Sequence, residues 1–422
     1  MFEQSDFYDL IIVGAGPAGL FAGINAGNKK LKISIIEKNA SAGKKLLISG
    51  SGKCNITHKG DSKNFIDHYG DKKNFVKHSL LNFKNIDLIN FFEERNLKMV
   101  EMNDGKIFPK TLKSTDVLNI LLNECKKLGV TINYNESVET INKTDNGFKI
   151  KTDNKIFHSK SVIIATGGKS YPLTGSTGDG YNIASKLGHN VTEVSPSLTS
   201  ITIKDYKFKD CSGVSLTDVK INLYRNNKKI KETVGDVLFT HKGLSGPGIL
   251  DFSRYIKAND IIKIKLINNV DREDFEKRIL FDMGSNGKKT LKKCITQFEI
   301  PESIVIKIFE IYNISIDLIL AELDKKTRKL IVDLLFDFPF EVNNLGDFNE
   351  AMATRGGINT DEINPRSMES KIFPDLYFAG EVIDVDGDTG GYNLQFAFSS
   401  GALAGKSIAD KNNHGEKNED FN

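Results

Sequence analysis

Asp9–Val13 (DLIIV) is a short, uniformly apolar run, and this predicts a strand buried on both faces of a parallel sheet. Gly14, Gly16 and Gly19 follow immediately, spaced G-x-G-x-x-G, with Pro17 and Ala18 opening an apolar helix that runs to about Ala26. A strand, a glycine turn and a helix in that order present unpaired N–H groups and the positive end of a helix dipole to whatever lies in front of them. Gly14 permits the turn, Gly16 lets a pyrophosphate approach the backbone, and Gly19 allows close packing of helix on sheet. A second strand, Lys32–Ile36, ends at Glu37, 23 residues beyond Gly14, where a carboxylate accepts hydrogen bonds from ribose hydroxyls and repels a 2′-phosphate. The first forty residues therefore predict a dinucleotide-binding βαβ unit, with Lys38 beside it.

At about 150 residues per domain, 422 residues allow two or three domains. With 39% hydrophobic and 27% charged residues, disordered, collagen-like and disulfide-stapled classes are excluded. The 58 basic and 55 acidic residues leave +3, and no Lys/Arg stripe interleaved with aromatics stands out, so neither nucleic acid nor a membrane is expected as a partner. Cys54, Cys125, Cys211 and Cys294 lie far apart without a C-x-x-C, which suits reduced thiols in the cytoplasm. Leu10–Ala26 is apolar but interrupted by Gly, Pro and Asn, unlike a signal or membrane segment.

The same fingerprint serves NAD and FAD, and later segments choose between them. Ser161–Gly168 (SVIIATGG) is another buried strand, and Gly175–Gly180 (GSTGDG) introduces a helix over Tyr181–Leu187. Leu376–Glu381 (LYFAGE) is a strand running into Val382–Gly391 (VIDVDGDTGG), then Tyr392, Asn393 and a long helix to about Ala409. The chain thus leaves the dinucleotide fold and returns to it about 200 residues later, roughly the size of one more domain. An A-T-G strand end with a late G-E strand resembles FAD-dependent enzymes of the glutathione-reductase structural class. Together with Gly43–His58 (GKKLLISGSGKCNITH), Thr240–Pro247 (THKGLSGP) and Gly390–Gln395 (GGYNLQ), the chain resembles the BaiN-like, or aminoacetone oxidase family, flavoproteins from about Asp9 to Ala409.

The resemblance implies FAD, held by the fingerprint together with Lys45, Ser49, Gly52, Cys54, Asn55, Ala165, Thr166, Gly167, Gly380, Glu381, Asp388, Gly391, Tyr392, Asn393 and Leu394. Two positions depart from the family pattern. Lys53 stands where an Arg is usual, replacing a bidentate contact by a point charge, and Arg355 stands where a small residue is common.

Between these halves, Pro196–Asn268 alternates with period two, as at Ile201 and Ile203, Val219, Ile221 and Leu223, and Ile262, Ile264 and Leu266. Asn226-Asn227 reads as a hairpin turn. From Asp271 to about Phe338 the pattern is helical, for example Leu318–Phe336, with Pro301 marking a helix start. The expected fold is α/β. A discontinuous Rossmann-like FAD-binding domain (residues 1–195 and 339–410) carries an inserted β-barrel-like subdomain (196–268) and a helical one (269–338), and 411–422 form a polar tail. Phe65–Leu128 reads as helices, with Gly129 as a C-terminal cap.

Tyr392 and Asn393 begin a helix after two glycines, and the family sets that helix end against the pyrimidine edge of the flavin. Tyr392 and His241 are the candidate proton donors, and a free imidazole near pKa 6.5 suits neutral pH better than a phenol near 10. Glu381 and Asp384–Asp388 lack the twelfth-position Glu of a calcium loop, so no metal is expected. No second G-x-G-x-x-G stands between a strand and a helix, so NADH or NADPH is expected only as a transient reductant. The leading expectation is a two-electron flavoenzyme reducing an activated double bond in a small organic substrate. The alternatives are an amine oxidase and a non-catalytic FAD-containing binding or RNA-modification component.

Overall fold

Leu10, Ile11 and Ile12 have no exposed surface, because the strand Phe7–Val13 (β1) lies in the middle of a parallel sheet. β1 leads through the glycine turn into the helix Pro17–Gly27 (α1) and then the strand Ile33–Glu37 (β2). In this computed structural model, which describes residues 7–27 and 31–419, the chain divides into two units, 1–195 with 352–422 and 196–351. Residues 420–422 of the expected tail lie outside the described residues.

The first unit is built on a seven-stranded sheet. β1 pairs in parallel with β2, Val13 opposite Ile36, and with Ile156–Ile164, Val13 opposite Ile164. Thr131–Tyr134 extends the β2 edge in parallel. The long strand Ile156–Ile164 is shared: its first half continues the sheet through antiparallel Gly147–Thr152 and Val138–Thr144, and its last three residues pair in parallel with Leu376–Phe378. The C-terminal segment therefore completes the sheet that the N-terminus begins. The helix Tyr392–Glu419 then lies against α1, with Gly401 and Gly405 facing Ala18 and Ala22; a Cβ at either glycine would stand 2.3 Å from a carbonyl oxygen. Only glycine permits that approach. The helix also carries 411–419, where a polar tail was expected.

Helices were expected throughout Phe65–Leu128, but a small antiparallel sheet interrupts them. Met99–Glu101 and Lys106–Pro109 form a hairpin, and Thr57–His58 pairs with its second strand. The turn is Asp104-Gly105, Gly105 having φ 81°, a hairpin signal that outweighs the helical residues around it. Gly129 does end the helix Ser114–Lys127 in the left-handed region, at φ 72°.

The second unit holds a closed six-stranded barrel with its own core. Around the barrel the strands are Ile201–Ile203, Gly243–Ser245, Lys228–Phe239, Ser215–Arg225, Ile261–Ile264 and Phe338–Leu345, the last pairing back on the first. Asn226 and Asn227, at φ 50° and 61°, form the tight turn of the longest hairpin. Phe338–Leu345 was expected to rejoin the first domain. Instead it closes the barrel, because Phe338, Phe340 and Val342 point inward while Pro339 and Glu341 face out, the period the barrel requires. The first unit resumes at Met352. Four helices, Arg272–Ser285, Leu291–Thr296, Glu302–Ile311 and Lys325–Phe336, pack beside the barrel. The last was expected to start at Leu318 but starts at Lys325. Asp324 accepts N–H bonds from Lys326 (2.8 Å) and Thr327 (3.0 Å), capping the helix there.

Candidate active site

The glycine turn after β1 is fixed from three sides. Gly14, at φ 106°, donates its N–H to Ile36 O (2.8 Å), and a Cβ on it would meet Ala165 O at 2.5 Å. Gly19 approaches Gly14 O so closely that a Cβ would lie 2.0 Å from it. At Gly16, by contrast, no heavy atom lies within 4 Å of where a Cβ would be. A glycine with nothing behind its missing side chain is what a backbone needs if a phosphate is to come against it. Pro17 and Ala18 begin α1 behind it, with Leu20 N bonded to Gly16 O (2.9 Å).

Glu37, expected to meet a ribose, is 7% exposed and serves the scaffold. Its Oε2 accepts the Ala15 N–H (2.8 Å) inside the glycine turn, and its Oε1 accepts both the N–H (2.8 Å) and the amide (2.7 Å) of Asn39. Lys38 turns away to donate to Thr177 Oγ1 and Asp179 Oδ2.

Residues 50–54 form a tightly coiled loop. Gly50, Ser51, Gly52 and Cys54 all have positive φ (55°, 55°, 82° and 62°), and the Lys53 N–H folds back on Gly50 O (3.1 Å). Ser49 closes the loop, its hydroxyl on Leu46 O (2.7 Å) and its carbonyl accepting the Cys54 N–H (3.0 Å). The Cys54 thiol is buried, and burial pushes its pKa up to about 12, so it packs rather than reacts. Lys53, the departure from the family pattern, is exposed. Arg355, the other, comes within 3.6 Å of Asp71.

Ala165 donates to Val13 O (2.9 Å), which sets Thr166 and Gly167, at φ 74°, beside the glycine turn. On the returning strand, Ala379 donates to Ile164 O (3.1 Å) and Gly380 to the Ser400 hydroxyl (2.9 Å). Lys45 and Glu381 were expected as separate cofactor contacts. They form an ion pair (2.7 Å) at the centre of a polar network. Ser170 bridges both, through Lys45 Nζ (2.5 Å) and Glu381 Oε1 (3.1 Å), while the Thr354 N–H donates to Glu381 (2.8 Å). The Thr354 hydroxyl accepts the N–H groups of Lys169 and Ser170. Ser170 and Thr354 carried no sequence signal.

Gly391, at φ 100°, lies on the Thr57 backbone, where a Cβ would be 2.7 Å from three main-chain atoms. It turns the chain into the helix beginning at Tyr392. The Tyr392 ring is 4% exposed, stacked between His68 (4.0 Å between centroids) and His58 (5.3 Å), with Phe65 edge-on. Its ring packs among these neighbours, and the helix end it opens presents N–H groups and a positive dipole. Asn393 binds Gly387 with both side-chain atoms, accepting its N–H (2.8 Å) and donating to its carbonyl (2.9 Å), and Leu394 packs on the core. Asp388 accepts from His68 Nδ1 (2.9 Å). Asp384 pairs with Lys72 (2.7 Å), and among the described residues no group of three or more His, Cys, Asp or Glu could hold a metal ion.

His241 belongs to the second unit, exposed on the turn after Lys228–Phe239. The turn is held by Thr240, whose hydroxyl donates to Gly243 O (3.0 Å) and accepts the Gly243 N–H (3.1 Å).

Buried polar atoms test whether the first unit fits a large polar cofactor. Asn55 Oδ1, Thr57 Oγ1, Thr166 Oγ1 and Gln395 Oε1 are buried without a hydrogen-bond partner. Each such atom costs about 1–3 kcal/mol. Asn55 and Thr57 follow the coiled loop, Thr166 belongs to the A-T-G strand end and Gln395 to the helix after Gly391, while the Tyr181 hydroxyl, also without a partner, lies on the helix Asp179–Lys186. With the open face of Gly16 and the positive helix ends, the residues fit FAD: the glycine turn and Glu37 would hold its adenosine diphosphate half, and residues 50–55 and 390–393 its flavin half.

Comparison with known proteins agrees with this geometry. The family described as HI0933-like protein Rossmann domain matches residues 8–407. The chain belongs to that family. It is an FAD-dependent oxidoreductase with a Rossmann-type FAD-binding domain. It is 30% identical over 399 residues to ribosomal RNA dihydrouridine synthase of Escherichia coli strain K12, covering 93% of this chain and 96% of that one. It is 27% identical over 408 residues to 3-dehydro-bile acid delta(4,6)-reductase of Clostridium scindens, covering 95% and 98%. Among solved structures it resembles a 3-ketosteroid-delta4-(5alpha)-dehydrogenase of Rhodococcus jostii RHA1, with a TM-score of 0.52, 14% identity, and coverage of 97% and 98%, a likeness of fold. Among the described residues no helix is long and apolar enough to cross a membrane.

Proposed function

We propose that this HI0933-like protein is an NAD(P)H-dependent reductase of a carbon–carbon double bond conjugated to a carbonyl. The observation that carries this is the near full-length similarity to two proteins whose names describe the same bond change on unrelated substrates. A delta(4,6)-reductase of a 3-dehydro-bile acid saturates a double bond of a ketone, and a dihydrouridine synthase saturates the 5,6-bond of a uracil, conjugated to its 4-carbonyl. Bound FAD supplies two-electron hydride chemistry at N5. The chain's own residues hold the cofactor, exclude water from it and stabilise negative charge at the helix end before Tyr392. His241 is the proposed source of the second hydrogen, as a proton. With no second dinucleotide fingerprint in the sequence, the nicotinamide is proposed to dock transiently.

A second reading of the substrate, a uridine within ribosomal RNA, is favoured over a free small molecule by the 30% identity to the E. coli synthase, against 27% to the bile-acid enzyme. The test is anaerobic addition of NADH or NADPH while following flavin absorbance, then reoxidation by a 3-oxo-4-ene steroid or by deproteinised ribosomal RNA. Bleaching followed by reoxidation by either acceptor supports the reading. Absence of bleaching with both nucleotides overturns it, and bleaching by an amine in their place selects the oxidase.

A further inference from the structure

The longest hairpin of the second unit lies in the barrel wall on one side and leaves a strand edge open on the other. Ser215–Arg225 and Lys228–Phe239 span 11 and 12 residues, whereas their other neighbours, Ile261–Ile264 and Gly243–Ser245, span 4 and 3. Within Lys228–Phe239 the strand Gly243–Ser245 pairs with Leu238 and Phe239 alone, so Lys228–Val234 is bonded along one edge. Both faces of Lys228–Glu232 are exposed, including Ile230. The end of this hairpin, a ribbon bordered by Ile261–Ile264 along Ile221–Tyr224, carries five cations between positions 220 and 231, namely Lys220, Arg225, Lys228, Lys229 and Lys231, and no acidic residue.

The stretch contains Tyr224, and the fold adds a second aromatic ring, Tyr255, and a sixth cation, Lys263. Lys231 lies over the Tyr255 ring (3.9 Å to its centroid), and Lys263, brought alongside by the pairing of Asn222 with Lys263, lies 4.9 Å from the Tyr224 ring. Arg225 fixes the turn end of the ribbon by a bidentate pair with Asp260 (both 2.8 Å) and a bond to Tyr255 O (2.9 Å). Glu232 is held by Lys220 and Lys229. Among the described residues, no carboxylate pairs with Lys228, Lys231 or Lys263.

We infer that this ribbon docks RNA, with its lysines on phosphates and Tyr224 and Tyr255 offering ring faces to bases; the inference rests on the ribosomal RNA reading of the substrate above. Lysines on an open strand edge also block strand addition, but either sign of charge does that. A run of one sign interleaved with aromatic rings is the pattern that tracks a nucleic-acid backbone.

The test uses the full-length holoenzyme and fluorescently labelled, deproteinised ribosomal RNA, titrated over a range of salt. Lys228→Gln/Lys231→Gln/Lys263→Gln is compared with a control of equal charge loss on the first unit, Lys77→Gln/Lys110→Gln/Lys113→Gln. If each ribbon lysine neutralises one phosphate, the slope of log affinity against log salt falls by about 2 to 3 in the ribbon variant and is unchanged in the control. Equal loss in both variants, or none in either, overturns the inference. So does binding to phosphatidylglycerol vesicles with the same lysine dependence, which would make the ribbon a membrane contact. NAD(P)H bleaching of the same preparations reads the reductase reading separately: a ribbon variant that bleaches normally yet loses RNA separates the two.

Discussion

Gly16→Ala separates a glycine kept for the cofactor from glycines kept for the fold. The added methyl meets no heavy atom within 4 Å, and Gly16 lies outside the left-handed region, so alanine suits the backbone. Unfolding of the apoprotein should therefore be unchanged or shifted up by about 0.4–1 kcal/mol, since alanine narrows the unfolded ensemble. The same methyl would crowd a pyrophosphate held against this turn. Losing one hydrogen bond to that charged group costs about 1.5–3 kcal/mol, or roughly 10- to 150-fold in FAD affinity. Gly19→Ala is the contrast, because its Cβ would stand 2.0 Å from Gly14 O and the main chain must move. That variant should lose about 1–3 kcal/mol or more as apoprotein. Urea unfolding of the apoproteins gives one axis, and FAD titration by quenching of flavin fluorescence the other. Wild-type FAD affinity in Gly16→Ala would show that no phosphate meets this turn; a destabilised apoprotein would show that the space is not open.

Glu37→Gln should lower apoprotein stability by about 2 kcal/mol, the scale of one charged hydrogen bond, and also weaken FAD, because the carboxylate holds the turn and is proposed to meet the ribose; a urea midpoint unchanged from wild type counts against the scaffold role. Cys54 and Cys125, each pushed to about 12 by burial, should not label with a thiol reagent at pH 8 in the native state. Their folded pKa exceeds the unfolded value of 9.0, so this stability is complete below pH 9 and is lost as pH rises from 9 towards 12, visible as a falling melting temperature. In stopped-flow, His241→Ala should slow reoxidation by substrate while leaving flavin reduction and FAD affinity near wild type, and Tyr392→Phe should slow neither. A chain ending at residue 195 should not retain FAD through gel filtration, since it lacks Leu376–Phe378 and the helix at Tyr392.

The βαβ opening was legible because its signals are local: an apolar strand, three glycines and an acidic residue within thirty positions. The Asn226-Asn227 turn and the alternation of the barrel were legible for the same reason. What escaped reading depends on contacts between remote residues. Lys45 and Glu381 are 336 positions apart, and each alone looks like a cofactor contact. Phe338–Leu345 has barrel alternation, but only the missing sixth strand assigns it to the barrel. Tyr392 follows two glycines as an exposed site residue would, and only the arrival of His58 and His68 encloses its ring. The cations of residues 220–231 and Tyr224 fall within one window of sequence, but no window joins Lys263 to Tyr224 or Lys231 to Tyr255, contacts that the fold alone makes.

The seam between α1 and the last helix also sets an order of events during synthesis. Nine of the eleven residues of α1 are buried in the finished protein, and Gly401 and Gly405 close over Ala18 and Ala22. Those glycines leave the ribosome last: 365 residues separate Gly27 from Tyr392. At about 5–20 residues per second, α1 waits roughly 20 to 70 s for its partner. Residues 196–351 are contiguous and are all made within that interval. The nascent chain therefore carries an N-terminal helix covered on the side of Ile35, Leu128 and Val130 but open on the face that Gly401 and Gly405 will close, and a chaperone able to shield that face would raise the yield of holoenzyme more than any aid to the barrel.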